Sequence, residues 1–197
     1  MANVYVQVQK NVVNFCTYLE QHVEKWKKAL QDSGSAIRGF NNQTEQLRGV
    51  EGADLDVEDF QKMKDSLKCC VYNGIEEEMF VLRNTIDKLQ ITNETLKSKL
   101  FKLEESTWEL NWDAPHVLFT GNATQPPLSK ILVLGLEFWR FFERRFEAIT
   151  DALKSLDYHC EKSVASFVSA FEIDFDVKTV RELIALTQYV NNEKAIS

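Results

Sequence analysis

Glycine and proline are scarce in this chain. Its 197 residues include seven glycines and three prolines, and every proline falls between residues 111 and 127. Glycine destabilises the interior of a helix and proline breaks it, so their scarcity is expected if most of the chain is helical. Hydrophobic residues make up 44% of the sequence. This content is enough to bury a core and too high for a disordered chain.

Long hydrophobic runs are also missing. No stretch approaches the roughly eighteen consecutive apolar residues that a transmembrane helix needs, and the richest run covers only residues 131–136. The first ten residues lack a basic segment followed by an apolar one, so we expect no secretory signal. The four cysteines lack the spacing of a disulfide scaffold or a zinc site; they are Cys16, Cys69, Cys70 and Cys160. We therefore predict no membrane association, and reduced, buried thiols in a protein of the cytoplasm and nucleus.

The charge balance is acidic. Thirty acidic and 23 basic side chains give a formal charge of −7, which disfavours binding to nucleic acid or to an anionic membrane. Basic residues cluster at 25–28, 97–102 and 140–145, and carboxylates are interleaved with each cluster. This pattern is typical of solvated helix faces. Contact with ribosomal RNA is the more specific and less favoured alternative. We predict no direct, sequence-specific binding of nucleic acid.

The motifs of common enzymes are missing from the sequence. It contains no glycine-rich phosphate loop, no Gly-x-Ser-x-Gly and no His-Glu-x-x-His, and no Glu-x-x-His for a di-metal helical bundle. Asp113 and His116 have a metal-like spacing, but they lie in the proline-containing segment. His22 falls on the apolar stripe of a helix, where a core histidine that is hydrogen-bonded or partly exposed is the preferred interpretation. We predict no catalytic residue, no cofactor and no metal, and hence a protein that is not an enzyme.

Apolar residues recur in steps of three and four, which is the period of a helix. The longest such stripe runs from Phe60 to Leu103, and another runs from Val12 to Leu47. The pattern predicts helices at about 3–48, 57–110, 129–171 and 177–191. Asp56 is the predicted N-cap of the second helix, with Glu58 and Asp59 in its first turn. Residues 111–127 are predicted to form a surface loop that Trp112, Val117 and Phe119 pack down.

These helices predict a single all-α domain that spans residues 1–197. The short connection between the first two helices makes them antiparallel neighbours. The predicted architecture is an elongated antiparallel helical bundle, or coiled coil, of three long helices plus one short C-terminal helix. Asn93 occupies an apolar position of the second helix, where a polar group commonly sets helix register.

The predicted third helix carries a cluster of aromatic residues. Phe138, Phe142 and Phe146 share one sector of the helix, and Trp139 and Phe141 lie at its two edges. The apolar arc is therefore about 160° wide, more than one helix–helix seam requires. Packing against two neighbours within the bundle and packing against an external partner both explain this width, and the first is favoured.

Two blocks of sequence resemble the AIRIM family of small helical proteins. The first block is Trp26-x-x-Ala29-Leu30-x-Asp32, followed by Ile37, Phe40, Asn42 and Glu45-Gln46-Leu47; the second is Leu136-Glu137-Phe138, followed by Phe142-Glu143-Arg144-x-Phe146. The family has a tryptophan-centred first helix that ends in Glu-Gln-Leu, and a third-helix block with this aromatic and Glu-Arg spacing. The chain looks more distantly similar to CINP, a companion subunit of the same assembly.

The resemblance implies a non-enzymatic adaptor subunit of an AAA+ ATPase complex that acts in the maturation of large ribosomal subunit precursors. The implied partners are the AAA+ ATPase subunits, a CINP-like helical subunit and, indirectly, the pre-ribosomal particle. Trp26, Trp139, Phe141 and Arg144 are the candidate partner-binding residues, since aromatic and arginine side chains dominate interface hot spots. The alternative is a structural coiled-coil subunit of a spindle or kinetochore assembly.

Overall fold

A computed structural model describes residues 2–54 and 60–190, with side chains from Val4 onward. These described residues contain six helices and no strand, which confirms the all-α prediction. The helices are α1 (Ala2–Gly52), α2 (Phe60–Ser106), α3 (Val117–Thr120), α4 (Leu128–Lys154), α5 (Glu161–Ala170) and α6 (Lys178–Thr187). The predicted capping residues Asp56, Glu58 and Asp59, and the predicted helix end at residue 191, lie outside the described residues. No helix in the described part of the chain is long and apolar enough to cross a membrane.

The chain divides into two compact units. Unit 1 comprises Met1–Trp26, Gln90–Arg144 and Asp174–Ser197, and unit 2 comprises Lys27–Leu89 and Arg145–Ile173. Helices α1, α2 and α4 each contribute residues to both units. The single domain, and the elongated bundle of three long helices, stay predictions.

Within unit 1, α1 and α2 run antiparallel. The side-chain amide of Asn11 donates to the carbonyl of Lys102 at 3.4 Å, whereas Trp26, further along α1, donates to Asn93, earlier in α2. The apolar stripes of these helices point inward together with those of α4 and α6. The core of this unit includes Val12, Phe15, Leu19, Leu96, Leu100, Leu103, Ile131, Phe138, Phe142, Val180 and Leu183.

The core of unit 2 forms around Phe40 of α1. This ring is fully buried and meets the rings of Tyr158 and Phe167 edge to face, with centroids 5.9 and 5.5 Å away. Leu47, Ile75, Met79, Leu82, Ile149 and Val164 are buried in the same unit. The apolar stripe of α2 is buried from Val71 onward. Before it, Phe60 is half-buried, and Met63 and Leu67 are exposed.

The predicted third helix, 129–171, is interrupted: α4 ends at Lys154 and α5 begins at Glu161. In the interruption, the carboxylate of Asp157 accepts the backbone N–H of His159 at 3.0 Å. The hydroxyl of Ser163 accepts the N–H of Asp157 and donates to the carbonyl of Ser155. Such side chains replace the backbone hydrogen bonds of a helix. No glycine or proline marks this position, so the apolar period alone predicted one continuous helix.

The proline-containing segment is a loop that includes the short helix α3. His116 caps this helix, because its Nδ1 accepts the N–H of Leu118 at 3.1 Å. Leu118 is the buried residue of the segment's helix, whereas Trp112 and Val117 are exposed. Phe119 is half-buried and contacts the Trp112 ring at 5.1 Å. Trp112, although exposed, therefore packs locally against Phe119 as predicted. The predicted packing by Val117 is wrong, because its side chain faces solvent.

The four cysteines are all free thiols, but they differ in exposure. Cys16 is buried, and burial raises the pKa of its thiol to about 12. Cys69, Cys70 and Cys160 are exposed. The prediction of buried thiols is correct for Cys16 alone, because the other three lie off the inward faces of their elements.

A close approach of helices in unit 1 depends on Gly135 of α4. A methyl group on this residue would meet the ring of Phe15 of α1 at 2.9 Å and Leu100 of α2 at 3.1 Å. Both neighbours are buried, so neither side chain can move into solvent to make room. Gly135 therefore lets α4 pack closely onto the first two helices.

We expect Gly135→Val to lower the free energy of unfolding by about 1–3 kcal/mol, because the added methyl groups overpack a buried contact. Chemical denaturation measures this change. Gly49→Val is the matched control, since a Cβ at that helical position would have no atom within 4 Å apart from its chain neighbours and the backbone of its own helix. Equal stabilities of the two variants would contradict the close packing at Gly135.

Candidate partner-binding surface

Trp26 lies in an aromatic cluster inside unit 1. Its ring is fully buried, and the ring centroids of Phe142 and Phe175 are 5.2 and 6.5 Å away. Aromatic pairs at such distances add to the stability of a core. A fully buried indole offers a partner no surface. The expectation that Trp26 is a partner-binding anchor is therefore corrected: its position on the inward stripe of α1 makes it a core residue.

A chain of hydrogen bonds holds this indole in place. Trp26 Nε1 donates to Asn93 Oδ1 at 3.0 Å, and Asn93 Nδ2 donates to a carboxylate oxygen of Glu143 at 3.3 Å. Asn93 is buried, so both of its polar ends need partners. Asn93 thus connects α2 to both α1 and α4. A residue that sets helix register, the role predicted for Asn93, needs contacts of this kind.

His22 is buried one turn before Trp26. Its ring packs edge to face against Phe142 with centroids 4.3 Å apart, and no described residue forms a hydrogen bond of ordinary geometry with either ring nitrogen. Burial lowers the pKa of His22 to about 3; the backbone of Thr92 opposes this shift in part, and the charge of Lys25 adds to it. The imidazole is therefore a neutral core group. The predicted core position is confirmed, but the ring is neither partly exposed nor hydrogen-bonded in the ordinary way, contrary to the expectation from the sequence.

The other three candidate residues lie at the surface of α4. Trp139 and Phe141 are half-buried, and Arg144 is exposed. At about 100° per residue, Trp139 and Phe141 lie about 160° apart around the helix axis. The structure therefore does not bring them into one patch: they flank the solvent face of α4 from opposite sides.

Trp139 belongs to a small surface that α2 and α4 share, made of Lys97, Phe101 and Trp139; we call it the α2–α4 aromatic surface. The rings of Phe101 and Trp139 are 6.1 Å apart, and Phe101 is 39% exposed. The ammonium of Lys97 lies 5.6 Å from the first ring and 5.5 Å from the second, within cation–π range. The indole N–H of Trp139 is buried and finds no acceptor among the described residues.

Sequence reasoning missed Phe101 and Lys97. Phe101 follows Leu100 directly and so falls off the inward stripe of α2. An aromatic residue next to the stripe, rather than on it, is the signal that could have identified it. Only the packing of α2 against α4 brings it next to Trp139.

No group of three or more histidine, cysteine, aspartate or glutamate side chains that could hold a metal ion occurs in residues 4–54 and 60–190. Of the pair with metal-like spacing, His116 uses its Nδ1 to cap α3.

Removing the indole N–H should test the hydrogen-bonded chain. We expect Trp26→Phe to lower the free energy of unfolding by about 1–3 kcal/mol, because it leaves the buried oxygen of Asn93 without a donor. Asn93→Leu should also destabilise, and the double variant should lose less than the two single losses combined. Additive losses in denaturation experiments would contradict the coupling.

His22 should make the stability depend on pH. Its pKa is about 3 in the folded chain and about 6.5 when unfolded, so between these values only the unfolded chain takes up the proton. Stability therefore falls as the pH falls below about 6.5, by roughly 2 kcal/mol between pH 7 and pH 5. Denaturation of His22→Leu at both pH values should lack this component. A variant that keeps the full wild-type loss would contradict it.

The sequence matches a known protein family over almost its whole length. Residues 6–194 match the family described as "Ribosome biogenesis protein C1orf109-like". No curated protein matches the chain. Because C1orf109 is AIRIM, the family expected from the blocks around Trp26 and Phe142 is confirmed. The chain is a member of the C1orf109-like family of ribosome biogenesis proteins.

Proposed function

We propose that this chain is a non-enzymatic adaptor subunit of an AAA+ ATPase complex that acts in the maturation of large ribosomal subunit precursors. Its membership of a ribosome biogenesis family supports the process. The resemblance of the two sequence blocks to AIRIM supports the ATPase complex. In this proposal the ATPase hydrolyses ATP, and the chain contacts the pre-ribosomal particle indirectly, in the nucleus and the cytoplasm.

The observation that carries the adaptor role is the α2–α4 aromatic surface. A buried N–H without an acceptor costs about 1–3 kcal/mol, and Trp139 carries such a group at the edge of the surface. Lys97 covers the two rings with a flexible side chain. A partner that displaces this side chain gains aromatic area and can supply an acceptor to the indole. Tryptophan in this setting is a typical interface hot spot.

A helical partner fits this surface best. Its two rings come from neighbouring helices, and an amphipathic helix binds such a surface with apolar residues spaced by one turn. We therefore propose the CINP-like helical subunit as the partner at the α2–α4 aromatic surface. Phe141 and Arg144 lie on the remaining sides of α4, where they would remain accessible to ATPase subunits. An adaptor needs two such surfaces to contact two partners at once.

Affinity purification of the tagged full chain from cells tests the proposal. We expect AAA+ ATPase subunits, a CINP-like protein and pre-ribosomal proteins to co-purify. Recovery of tubulin or kinetochore proteins in their place would favour the coiled-coil subunit of a spindle or kinetochore assembly and would contradict the adaptor.

Trp139→Ala should reduce recovery of the CINP-like subunit at least about tenfold, since hot-spot truncations cost about 2 kcal/mol or more. Val133→Ala is the matched control, because Val133 is an exposed apolar residue of the same helix outside the aromatic surface. Melting curves should show that both variants are folded. Equal recovery with the two variants would contradict the proposed surface.

A further inference from the structure

A second exposed aromatic residue lies at the C-terminal end of α2. Trp108 follows the last residue of this helix by two positions, and 77% of its surface is exposed. It lines a depression of about 390 Å³ within unit 1, which is in the range of ligand pockets. The other lining residues are Val4, Gln7, Glu105, Ser106 and Glu109. We call this site the Trp108 depression.

The Trp108 depression is strongly acidic. Glu105 and Glu109 are exposed, and neither forms an ion pair or a side-chain hydrogen bond with any described residue. No lysine or arginine lines the depression. The last turn of α2 also has no basic residue, although the C-terminal end of a helix carries partial negative charge. Carboxylates at this end repel the helix dipole, and a bound cation would relieve that repulsion.

We propose that the Trp108 depression binds an arginine side chain of a protein partner. A guanidinium can stack on the indole face, where the cation is attracted to the ring. Its N–H groups can donate to the carboxylates of Glu105 and Glu109, which gives short, charge-assisted hydrogen bonds. The side-chain oxygen of Gln7 supplies a further acceptor. Lysine carries the charge but lacks the planar group that stacks and donates in several directions.

This site is separate from the α2–α4 aromatic surface. It is formed by the N-terminal end of α1 and the C-terminal end of α2, whereas the aromatic surface uses Lys97, Phe101 and Trp139. The inference does not depend on the adaptor role, and a failure of either proposal leaves the other intact.

Nuclear magnetic resonance of the full chain tests the inference. The probe is a capped peptide, Gly-Gly-Arg-Gly-Arg-Gly-Gly, and the comparison peptides carry glutamine or lysine in place of arginine. The chain has four tryptophans, and the indole N–H signal that Trp108→Phe removes is that of Trp108. We expect the arginine peptide to shift this signal selectively, and the glutamine peptide to leave it unchanged.

Variants identify the groups that bind. Trp108→Ala and the double variant Glu105→Gln/Glu109→Gln should each raise the dissociation constant of the arginine peptide about fivefold or more. Phe80→Ala is the matched control. Phe80 is 67% exposed and lies beside two carboxylates, those of Glu76 and Glu77. These three residues belong to one helix, whereas two helices form the Trp108 depression. All of these side chains are exposed, so melting curves should show that every variant is folded. The double variant should melt no lower than the wild type, because it removes carboxylates that repel the helix dipole.

Three results would overturn the inference. The first is the absence of a Trp108 shift at millimolar arginine peptide. The second is an equal loss of affinity in Phe80→Ala, which would show non-specific attraction to an acidic chain. The third is equal affinity for the lysine and arginine peptides, which would show a general cation site that does not select arginine.

Discussion

The core of unit 1 depends on one hydrogen bond, from the indole of Trp26 to the amide of Asn93. Both residues are buried, so each polar group would be costly without the other. The bond fixes the register of α1 against α2, because a shift by one residue would separate the two groups. Glu143 extends the chain to α4. His22 adds a neutral ring to the same cluster and no hydrogen bond of ordinary geometry.

Because Trp26 is part of the core, the proposed partner contacts depend on residues at the edges of helices. Trp139, with Phe101 beside it, remains partly accessible, and its indole N–H has no acceptor among the described residues. Trp108 is largely exposed in an acidic depression. The two proposed sites therefore differ in chemistry: an apolar helix that carries an acceptor is the proposed ligand at Trp139, and a cation is the proposed ligand at Trp108.

The helical period predicted most of the fold because burial follows it closely. Every predicted apolar position of α2 from Val71 to Leu103 is buried. His22 and Asn93 are also buried, as their positions on the apolar stripes of their helices predict. The break between α4 and α5 was missed because Asp157 and Ser163 form it with side-chain hydrogen bonds, which have no periodic signal. The candidate site was predicted only in part: Trp139 and Phe141 were placed at the edges of their stripe, but Phe101 was not identified.

The sequence by itself determined the all-α class, the inward faces of the long helices and the family, because helix period and spaced motifs are local properties of the chain. Tertiary structure alone decided which residues from different helices meet. Trp26 belongs to the first block that resembles the AIRIM family, and Trp139 lies between the two parts of the second block. Trp26 nevertheless bonds to Asn93 in the core, whereas Trp139 contacts Phe101 at the surface. The physical reason is that the exposure of a residue depends on which helix packs against it. The apolar period of one helix does not identify that neighbouring helix.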